Sequence, residues 1–383
     1  MNPTQPPHSA LVVPAVGVAG VLLFSCMATP PSTVLAFEGG RVLAADSREA
    51  ARVETLVEGL RPQLLRTLPD TSFDDIEVWV QDQPSLYRFA VAATADAEGL
   101  WSPTHRRIML SRHADHLART LAHELTHAVL GDSWAMLPGS LEEGLADHVS
   151  GELCGTGEAR LRAGRLSSAC LATGGLEIDV DVLRKPSYEE ELLGHRRGWS
   201  ARVKLKGETV GADPLDVFRL AAGLSSTRLD TGAKRGFYGL AYLVVSRVVE
   251  RHGYEGLHAL CVDALEMDYD HVPVGAILEA AELDADPETW RTAAASAMGP
   301  PEIVELIRMY PDFLVDALTD YLRSLRPEGD VGDWIDEVEV EIRLADGTAA
   351  VTLHELPFVR EEIVAGLQAS AAPANEPVAS AER

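Results

Sequence analysis

The segment from Leu117 to Leu130 constrains the fold of this chain more than any other part of the sequence. Its apolar residues recur at helical spacing and form a single stripe: Leu117, Leu121, Leu125 and Val129. Such a stripe predicts an amphipathic helix, which we expect to begin between residues 111 and 113 and to end before Gly131. His123 and His127 lie four residues apart on the side opposite the stripe. Both imidazoles therefore project from one face of the helix and can bind one metal ion.

A glutamate directly follows the first of these histidines. Glu124 stands beside His123, where its carboxylate can take a proton from a metal-bound water. The resulting His-Glu-x-x-His pattern on a helix is typical of zinc metallopeptidases. A histidine pair packed in the core is the structural alternative, but it would not lie opposite the apolar stripe.

A catalytic zinc needs a third protein ligand and an open fourth position for water. The metzincin arrangement is excluded, because Leu130 stands three residues after His127 where that pattern has Gly, and Ser133 stands six residues after it where that pattern has His. A downstream acid is the alternative. Glu143 is the best candidate for that acid.

The residues around Glu143 resemble the gluzincin-type zinc metallopeptidases of the MA-like superfamily. In that family the third ligand is a Glu on a following helix, in a pattern often written P-x-W-L-x-E-G-L-A, with an acid four residues after the Glu. Ser140 stands in the place of the usual Trp. The residues that match the pattern are Pro138, Leu141, Glu143, Gly144, Leu145, Ala146 and Asp147.

The resemblance implies a Zn²⁺ ion bound by His123, His127 and Glu143, with Glu124 as the general base. It also implies that Asp147 accepts a hydrogen bond from a ligand histidine, which would fix the tautomer of that ring.

Other roles for these residues stay open at this point. Ser140 and Glu143 also fit a helix capping box, Ser-x-x-Glu. Glu142 and His148 are alternative metal ligands, although the side chain of Glu142 should leave its helix about 100° away from that of Glu143.

The resemblance further implies a residue on a later helix that stabilises the tetrahedral oxyanion. The stretch from Phe237 to Gly253 resembles the family's Y-x-x-A-Y helix that ends in Gly, so Tyr238 is the expected hydroxyl donor. Tyr242 is the alternative donor. Simple packing of two aromatic rings four residues apart is the structural explanation.

The expected fold is α+β. The resemblance implies a zincin-like metallopeptidase fold with a small mixed sheet, zinc-site helices and a mostly helical C-terminal lobe. The resemblance places an edge strand of the sheet at Arg107–Leu110, and this strand should align an extended peptide. The predicted parts are a signal segment at 1–26, a metallopeptidase domain at 40–298, an accessory helix and hairpin at 299–365, and a disordered tail at 366–383.

The periodicity of the sequence predicts several elements within these parts. Helices are expected at Ala44–Leu68, Tyr238–His252 and Ile303–Leu325, and strands at Ile76–Val80, Arg107–Leu110, Val338–Leu344 and Ala349–Leu353, the last two forming a hairpin around Asp346-Gly347. The arrangement from Gly151 to Thr231 is predicted to be irregular, apart from a helical piece at Asp213–Ala222.

The chain begins with an apolar run, Ala10–Met27, that predicts export to the cell envelope. Its end resembles a bacterial lipoprotein box, in which Cys26 would receive lipid and attach the protein to a membrane. Secretion after plain cleavage and a retained anchor helix are the alternatives, because the first 25 residues contain no Lys or Arg.

The other cysteines fit an oxidising compartment. Cys154 and Cys170 flank a Gly/Ser-rich stretch, so we expect a disulfide between them. Cys261 lies in an apolar helical pattern and should be a buried free thiol.

The charge of the chain limits its partners. It has 33 Lys and Arg against 59 Asp and Glu, a net charge of −26, which would repel phosphate backbones and argues against nucleic acid. The resemblance to zinc metallopeptidases implies a peptide or protein substrate. Zinc would lower the pKa of its water, Glu124 would accept the proton, and zinc and Tyr238 would polarise the peptide carbonyl.

Two rival functions follow from the same residues. The first is a non-catalytic envelope protein that keeps the zinc helices as a structural or peptide-binding scaffold, with His148 as a fourth ligand. The second is a dormant protease, held inactive by the segment between Cys154 and Cys170 or by the acidic C-terminal tail.

Overall fold

The fold is α+β, as predicted. The structure, a computed structural model, describes residues 32–82, 98–184, 198–205, 213–219, 231–325, 335–336, 338–345 and 347–371. All of them belong to one compact unit. The predicted signal segment with Cys26 lies outside the described residues.

The first sheet is small and mixed, and its five strands follow the order β1-β2-β3-β5-β4. β1 pairs with β2 and β4 with β5 in antiparallel fashion, whereas β2 with β3 and β3 with β5 are parallel. The strands are Thr33–Phe37 (β1), Gly40–Ala44 (β2), Ile76–Gln81 (β3), Gly99–Ser102 (β4) and Arg107–Ser111 (β5).

The edge of this sheet is not the strand that the sequence indicates. Residues Arg107–Leu110 were expected at the edge, but β5 lies between β3 and β4. β4 is the edge strand on that side. It has only four residues, too few for an alternating pattern, and the Pro103 that follows it makes its end resemble a turn.

Two helices, α1 (Ser47–Thr67) and α2 (Leu117–Val129), pack against the first sheet, and α3 (Leu141–Cys154) packs against α2. The predicted apolar stripe of α2 is fully buried. α2 begins later than the expected residues 111 to 113, because the chain up to Ser111 is used by β5. A short 3₁₀ turn, Asp132–Met136, connects α2 to α3.

The region predicted to be irregular, from Gly151 to Thr231, contains regular elements. It forms α4 (Glu158–Ala172) and the two strands β6 (Leu176–Arg184) and β7 (Gly198–Leu205). Of the expected helical piece from Asp213, the described residues form a short 3₁₀ turn, Pro214–Phe218. Two of the glycines that suggested a long loop, Gly155 and Gly157, form only the short connection between α3 and α4, where both adopt positive φ.

The disulfide predicted between Cys154 and Cys170 is not formed, and both residues are free thiols. Cys154 ends α3, whereas Cys170 lies in the last turn of α4. A helix of this length extends about 18 Å from its start to that turn, and disulfide-linked Cα atoms lie within about 7 Å of each other. Cys261 is a buried free thiol, as predicted.

The helical lobe begins with a long helix that is kinked. α5 runs from Thr231 to Glu266, and Gly253 interrupts it with φ 69° and ψ 176°. The predicted end at Gly253 is therefore a kink, after which the helix resumes. Four further helices follow: α6 (Val274–Ala281), α7 (Pro287–Ser296), α8 (Pro300–Met309) and α9 (Asp312–Leu325).

The single helix expected from Ile303 to Leu325 is two helices. α8 ends at Met309 and α9 begins at Asp312. Pro311 lies between them, and its ring cannot continue a helix that precedes it.

The predicted hairpin near the C-terminus is confirmed, with β8 (Val338–Leu344) antiparallel to β9 (Gly347–Thr352). It belongs to a second, antiparallel sheet of order β7-β6-β8-β9, in which β8 pairs with β6. The hairpin therefore shares its sheet with residues of the predicted metallopeptidase domain. α10 (Pro357–Ala371) follows and includes residues 366–371, which were expected to be disordered.

Within the described ranges, no helix is both long enough and apolar enough to cross a membrane.

Candidate metal centre

Three side chains from α2 and α3 converge on one point. His123 Nε2 lies 3.3 Å from His127 Nε2, and Glu143 Oε2 lies 3.4 Å from the first and 3.6 Å from the second. The four-residue spacing on α2 brings the two imidazoles together, and the first turn of α3 presents the carboxylate to them. They form the one group of three or more His, Cys, Asp or Glu in the described part of the chain that could hold a metal ion.

The size of this triangle fits a small tetrahedral ion. Zinc binds His nitrogen and carboxylate oxygen at about 2.0–2.2 Å, so tetrahedral ligand atoms lie about 3.3–3.6 Å from one another. All three separations fall in that range. The nitrogen and carboxylate donors are also the types that zinc uses.

A carboxylate holds the far side of each histidine ring. Asp147 Oδ1 lies 3.1 Å from His123 Nδ1, and Glu142 Oε1 lies 2.6 Å from His127 Nδ1. Each Nδ1 can therefore donate to a carboxylate, which leaves the Nε2 lone pair free for a metal. The expected role of Asp147 matches this geometry. Glu142 contacts Nδ1, on the opposite side of the His127 ring from Nε2, and does not join the ligand cluster.

An arginine from α4 holds Asp147 in turn. Arg165 Nε lies 2.6 Å from Asp147 Oδ2, and the Arg165 guanidinium stacks over the Tyr238 ring with its Cζ 4.8 Å from the ring centroid. The chain of contacts runs from His123 through Asp147 and Arg165 to Tyr238. The segment between Cys154 and Cys170, considered above as an inhibitory segment, thus supplies a supporting residue of the centre.

The carboxylates of the centre raise the pKa values of the two histidines, and the histidines lower the pKa of Glu143. Burial lowers the pKa of His123, but hydrogen bonds with Asp147 and Glu143 outweigh it and raise the pKa to about 9. Burial likewise raises the pKa of Glu143, yet hydrogen bonds with both histidines lower it well below its usual range. The carboxylates thus favour positive charge on the two imidazoles, which protons supply in metal-free protein and which a metal ion would have to displace.

Glu124 lies beside the cluster and under the edge strand. Its carboxyl is buried, and this burial raises its pKa despite the opposing influence of His123 and His127. The backbone of Trp101 in β4 opposes this rise in the pKa of Glu124. Gly99 approaches so closely that a Cβ there would lie 2.7 Å from Glu124 Cγ. β4 therefore lies against the candidate base.

Tyr238 lies near the cluster, and Tyr242 does not. Burial, followed by the charges of Glu143 and Asp147, raises the pKa of Tyr238, so its hydroxyl keeps its proton at neutral pH. Tyr242 instead accepts a 3.4 Å hydrogen bond from Arg162 Nη1, and its ring lies beside His148.

His148, an alternative ligand, points away from the centre. Its Nδ1 lies 2.8 Å from the Tyr254 hydroxyl on α5. The arrangement required by the scaffold hypothesis, with His148 as a fourth metal ligand, is not present among the described residues.

A close helix crossing brings Tyr238 near the cluster. A Cβ at Gly144 of α3 would lie 2.4 Å from the backbone oxygen of Ala241 on α5. Only glycine fits this crossing, which explains why a glycine directly follows the third candidate ligand.

Sequence reasoning missed two supporting residues. Arg165 was not considered, because its segment was predicted to be irregular, although Ala163, Leu166, Ala169 and Cys170 carry a helical apolar spacing that could have revealed α4. Glu142 was considered only as a ligand. A second histidine with a free Nδ1 is the signal that could have indicated its role, because ligand histidines generally bond a second group.

Comparisons with known proteins add no family to this geometry. No model of a known protein family matches the chain, and no curated protein matches it. A functional assignment is therefore supported by the geometry of the centre and by the sequence pattern.

Proposed function

We propose that this protein is a zinc-dependent peptidase of the gluzincin type, with a zincin-like arrangement of its first sheet and α2, α3 and α5. The observation that carries the proposal is the triangle of His123, His127 and Glu143, which has tetrahedral dimensions and lies beside the buried carboxyl of Glu124. Zinc bound there would supply Lewis acidity and an acidic water ligand.

The residues around the triangle suit proton transfer. Glu124 has a pKa raised by burial, which makes it a better proton acceptor at neutral pH than an exposed carboxylate. Glu124 can receive a proton from the nucleophilic water and deliver it to the leaving amine.

A peptide is the substrate that the surroundings favour. Among the described residues, β4 ends the strand order of the first sheet and has one strand partner, β5. An extended peptide can pair with the free edge of such a strand through main-chain hydrogen bonds. Because β4 lies against Glu124, a peptide paired with this edge would lie close to the candidate metal site.

Tyr238 is the proposed stabiliser of the oxyanion. Its hydroxyl stays protonated and can donate to the negative charge that develops on a carbonyl oxygen. Arg165 fixes its ring by stacking.

The first test is metal content by elemental analysis on protein that lacks residues 1–26. We expect one zinc per chain in this protein and in Glu58→Ala, a control at an exposed glutamate of α1, and at least a hundredfold weaker zinc binding in Glu143→Ala. An absence of zinc after reconstitution would contradict the proposed metal centre.

A second test separates an enzyme from a zinc-binding scaffold. In Glu124→Gln we expect the hydrolysis of a peptide library to fall by about 10³-fold while zinc content stays at one per chain, with Glu58→Gln unchanged. A scaffold would show no hydrolysis in the parent protein and no effect of the substitution.

Export to the cell envelope with lipid on Cys26 remains part of the proposal. Expression of the full chain and its Cys26→Ser variant in a bacterial host tests it. Membrane association of the parent protein with release of the variant is the expected result, whereas equal partition of the two would exclude the lipid anchor.

A further inference from the structure

A second concave site lies along α2, one turn before the first candidate ligand. It is a groove of about 480 Å³ between α1, the first turn of α2 and the end of α3. Leu56, Leu60, Leu117 and Leu153 supply its apolar surface. A volume of this size is in the range of small-molecule sites. The groove shares no residue with the His123, His127 and Glu143 cluster.

The charged groups of the groove are all basic or potentially basic. Arg52, His116 and Arg119 line it, and none of its described lining residues is Asp or Glu. In a chain with 59 acidic and 33 basic residues, a cavity lined by two arginines and no acid favours an anionic ligand.

Arg119 is the key residue, because it is partly buried and makes no hydrogen bond or ion pair to any described residue. The acids that influence its charge have other partners: Glu98 accepts from Asp115 N at 3.1 Å and Thr120 Oγ1 at 2.9 Å, and Asp147 bonds Arg165. Burial lowers the pKa of Arg119 more than these acids raise it. Its guanidinium therefore has donors that a ligand can satisfy.

The neighbouring groups converge on the same point. An atom placed at the Cβ position of Gly157 would lie 3.5 Å from His116 Cε1 and 3.6 Å from Arg119 Nη1. The imidazole and the guanidinium thus border the same space, and Gly157 adds no side chain there. The first turn of α2 also lines the groove, and a helix N-terminus favours negative charge.

We propose that this groove binds a small amphipathic organic anion, a carboxylate with an unbranched alkyl chain. The carboxylate contacts Arg119 and His116, and the alkyl chain lies along Leu56, Leu60 and Leu117. A planar guanidinium binds a carboxylate through two parallel hydrogen bonds, and the apolar wall gains from burial of the chain. This site does not depend on the proposed peptidase activity.

The test uses decanoate below its micelle concentration, with decyltrimethylammonium and acetate as probes that change the head group or remove the chain. We expect saturable binding of one decanoate per protein by calorimetry, and at least tenfold weaker binding of each comparator. Arg119→Met should weaken decanoate at least tenfold, whereas Arg48→Met, at an exposed position one turn earlier on α1 than Arg52, should not. Equal binding of decanoate and decyltrimethylammonium, or unchanged binding by Arg119→Met, would overturn the proposal.

A second measurement uses the unmodified protein and locates the ligand. Cys154 is partly exposed within the groove, whereas Cys170 and Cys261 are buried. Saturating decanoate should slow iodoacetamide alkylation of Cys154 at least fivefold, as read from the modified peptide by mass spectrometry. An unchanged rate at Cys154 would show that decanoate binds elsewhere and would exclude the groove.

Discussion

The two ends of the α2–α3 pair differ in whether their buried or partly buried charged side chains have partners of opposite charge. At the end with His123, His127 and Glu143, each imidazole, which can carry a positive charge, lies within 3.6 Å of a carboxylate. At the other end, Arg119 is partly buried and has no hydrogen-bond or ion-pair partner among the described residues. The first arrangement is preorganised for a cation, whereas the second leaves a cation for which the ligand has to supply the counter-charge.

Under the two proposals, one helix pair would carry sites for ligands of opposite charge. Asp147 lies between the two sites, because it bonds His123 and is also, of the acids near Arg119, the one that raises the pKa of Arg119 most.

Removal of the charge of Asp147 should have the largest effect. In metal-free protein, Asp147→Asn should lower the free energy of unfolding by about 3 kcal/mol, because it leaves the partly buried Arg165 without its counter-charge. Urea unfolding measures this loss. Glu142→Gln is the control, since Glu142 is more exposed and should cost about 1 kcal/mol or less. Equal losses in the two variants would show that the ion pair with Arg165 contributes little.

Metal addition should stabilise the folded protein only by binding at the end of the α2–α3 pair that carries His123, His127 and Glu143. Zinc at a hundred times its dissociation constant should raise the free energy of unfolding by about 2.7 kcal/mol, and a chelator should reverse this gain. The gain should vanish in Glu143→Ala and persist in Arg119→Met. A gain that survives in Glu143→Ala would place the ion elsewhere.

The two ends of α3 should tolerate an added methyl group differently. Gly144→Ala should lower the free energy of unfolding by about 1–3 kcal/mol, since its Cβ would meet the backbone of Ala241. Gly151→Ala has neighbours no closer than 3.6 Å, so the higher helix propensity of Ala should leave stability equal or raise it by up to about 1 kcal/mol. Thermal unfolding of both variants makes the comparison, and a harmless Gly144→Ala would contradict the close crossing.

The smallest effect on stability is expected at the end of the α2–α3 pair that carries Arg119. Arg119→Met should leave the free energy of unfolding unchanged or raise it by up to about 1 kcal/mol, because it removes a partly desolvated charge without breaking an ion pair. Arg165→Met, by contrast, should cost about 3 kcal/mol. Denaturant unfolding at neutral pH measures both. A loss above 1 kcal/mol in Arg119→Met would mean that this guanidinium has a stabilising partner.

The sequence predicted the candidate metal ligands better than it predicted the residues that hold them in place. His123 and His127 meet because helix geometry fixes side chains four residues apart, and Glu143 and Asp147 follow from a local pattern on one further helix. Arg165 reaches the centre only through the packing of α4, which no local spacing specifies. Its contribution is therefore visible in the folded structure alone.

The sheets show the same limit. β3, β8 and β9 were predicted from their own alternation, whereas β4 is too short for a pattern and depends on pairing with β5. β6 alternates through Leu176, Ile178, Val180 and Val182, but the glycines and serines around it favoured a loop. Its pairing with β8 joins distant parts of the chain, which no window of sequence contains.

The pairing of β6 with β8 has a consequence for the order of folding. Asp179 lies opposite Arg343, so the second sheet cannot close until nearly the whole chain has emerged from the ribosome, and contacts so distant form slowly. The α2–α3 pair is local and can form much earlier. Until β8 arrives, β6 has an open edge with apolar residues on one face, and such an edge can pair with other chains. Truncation before residue 338 should therefore produce aggregation even if the metal cluster assembles.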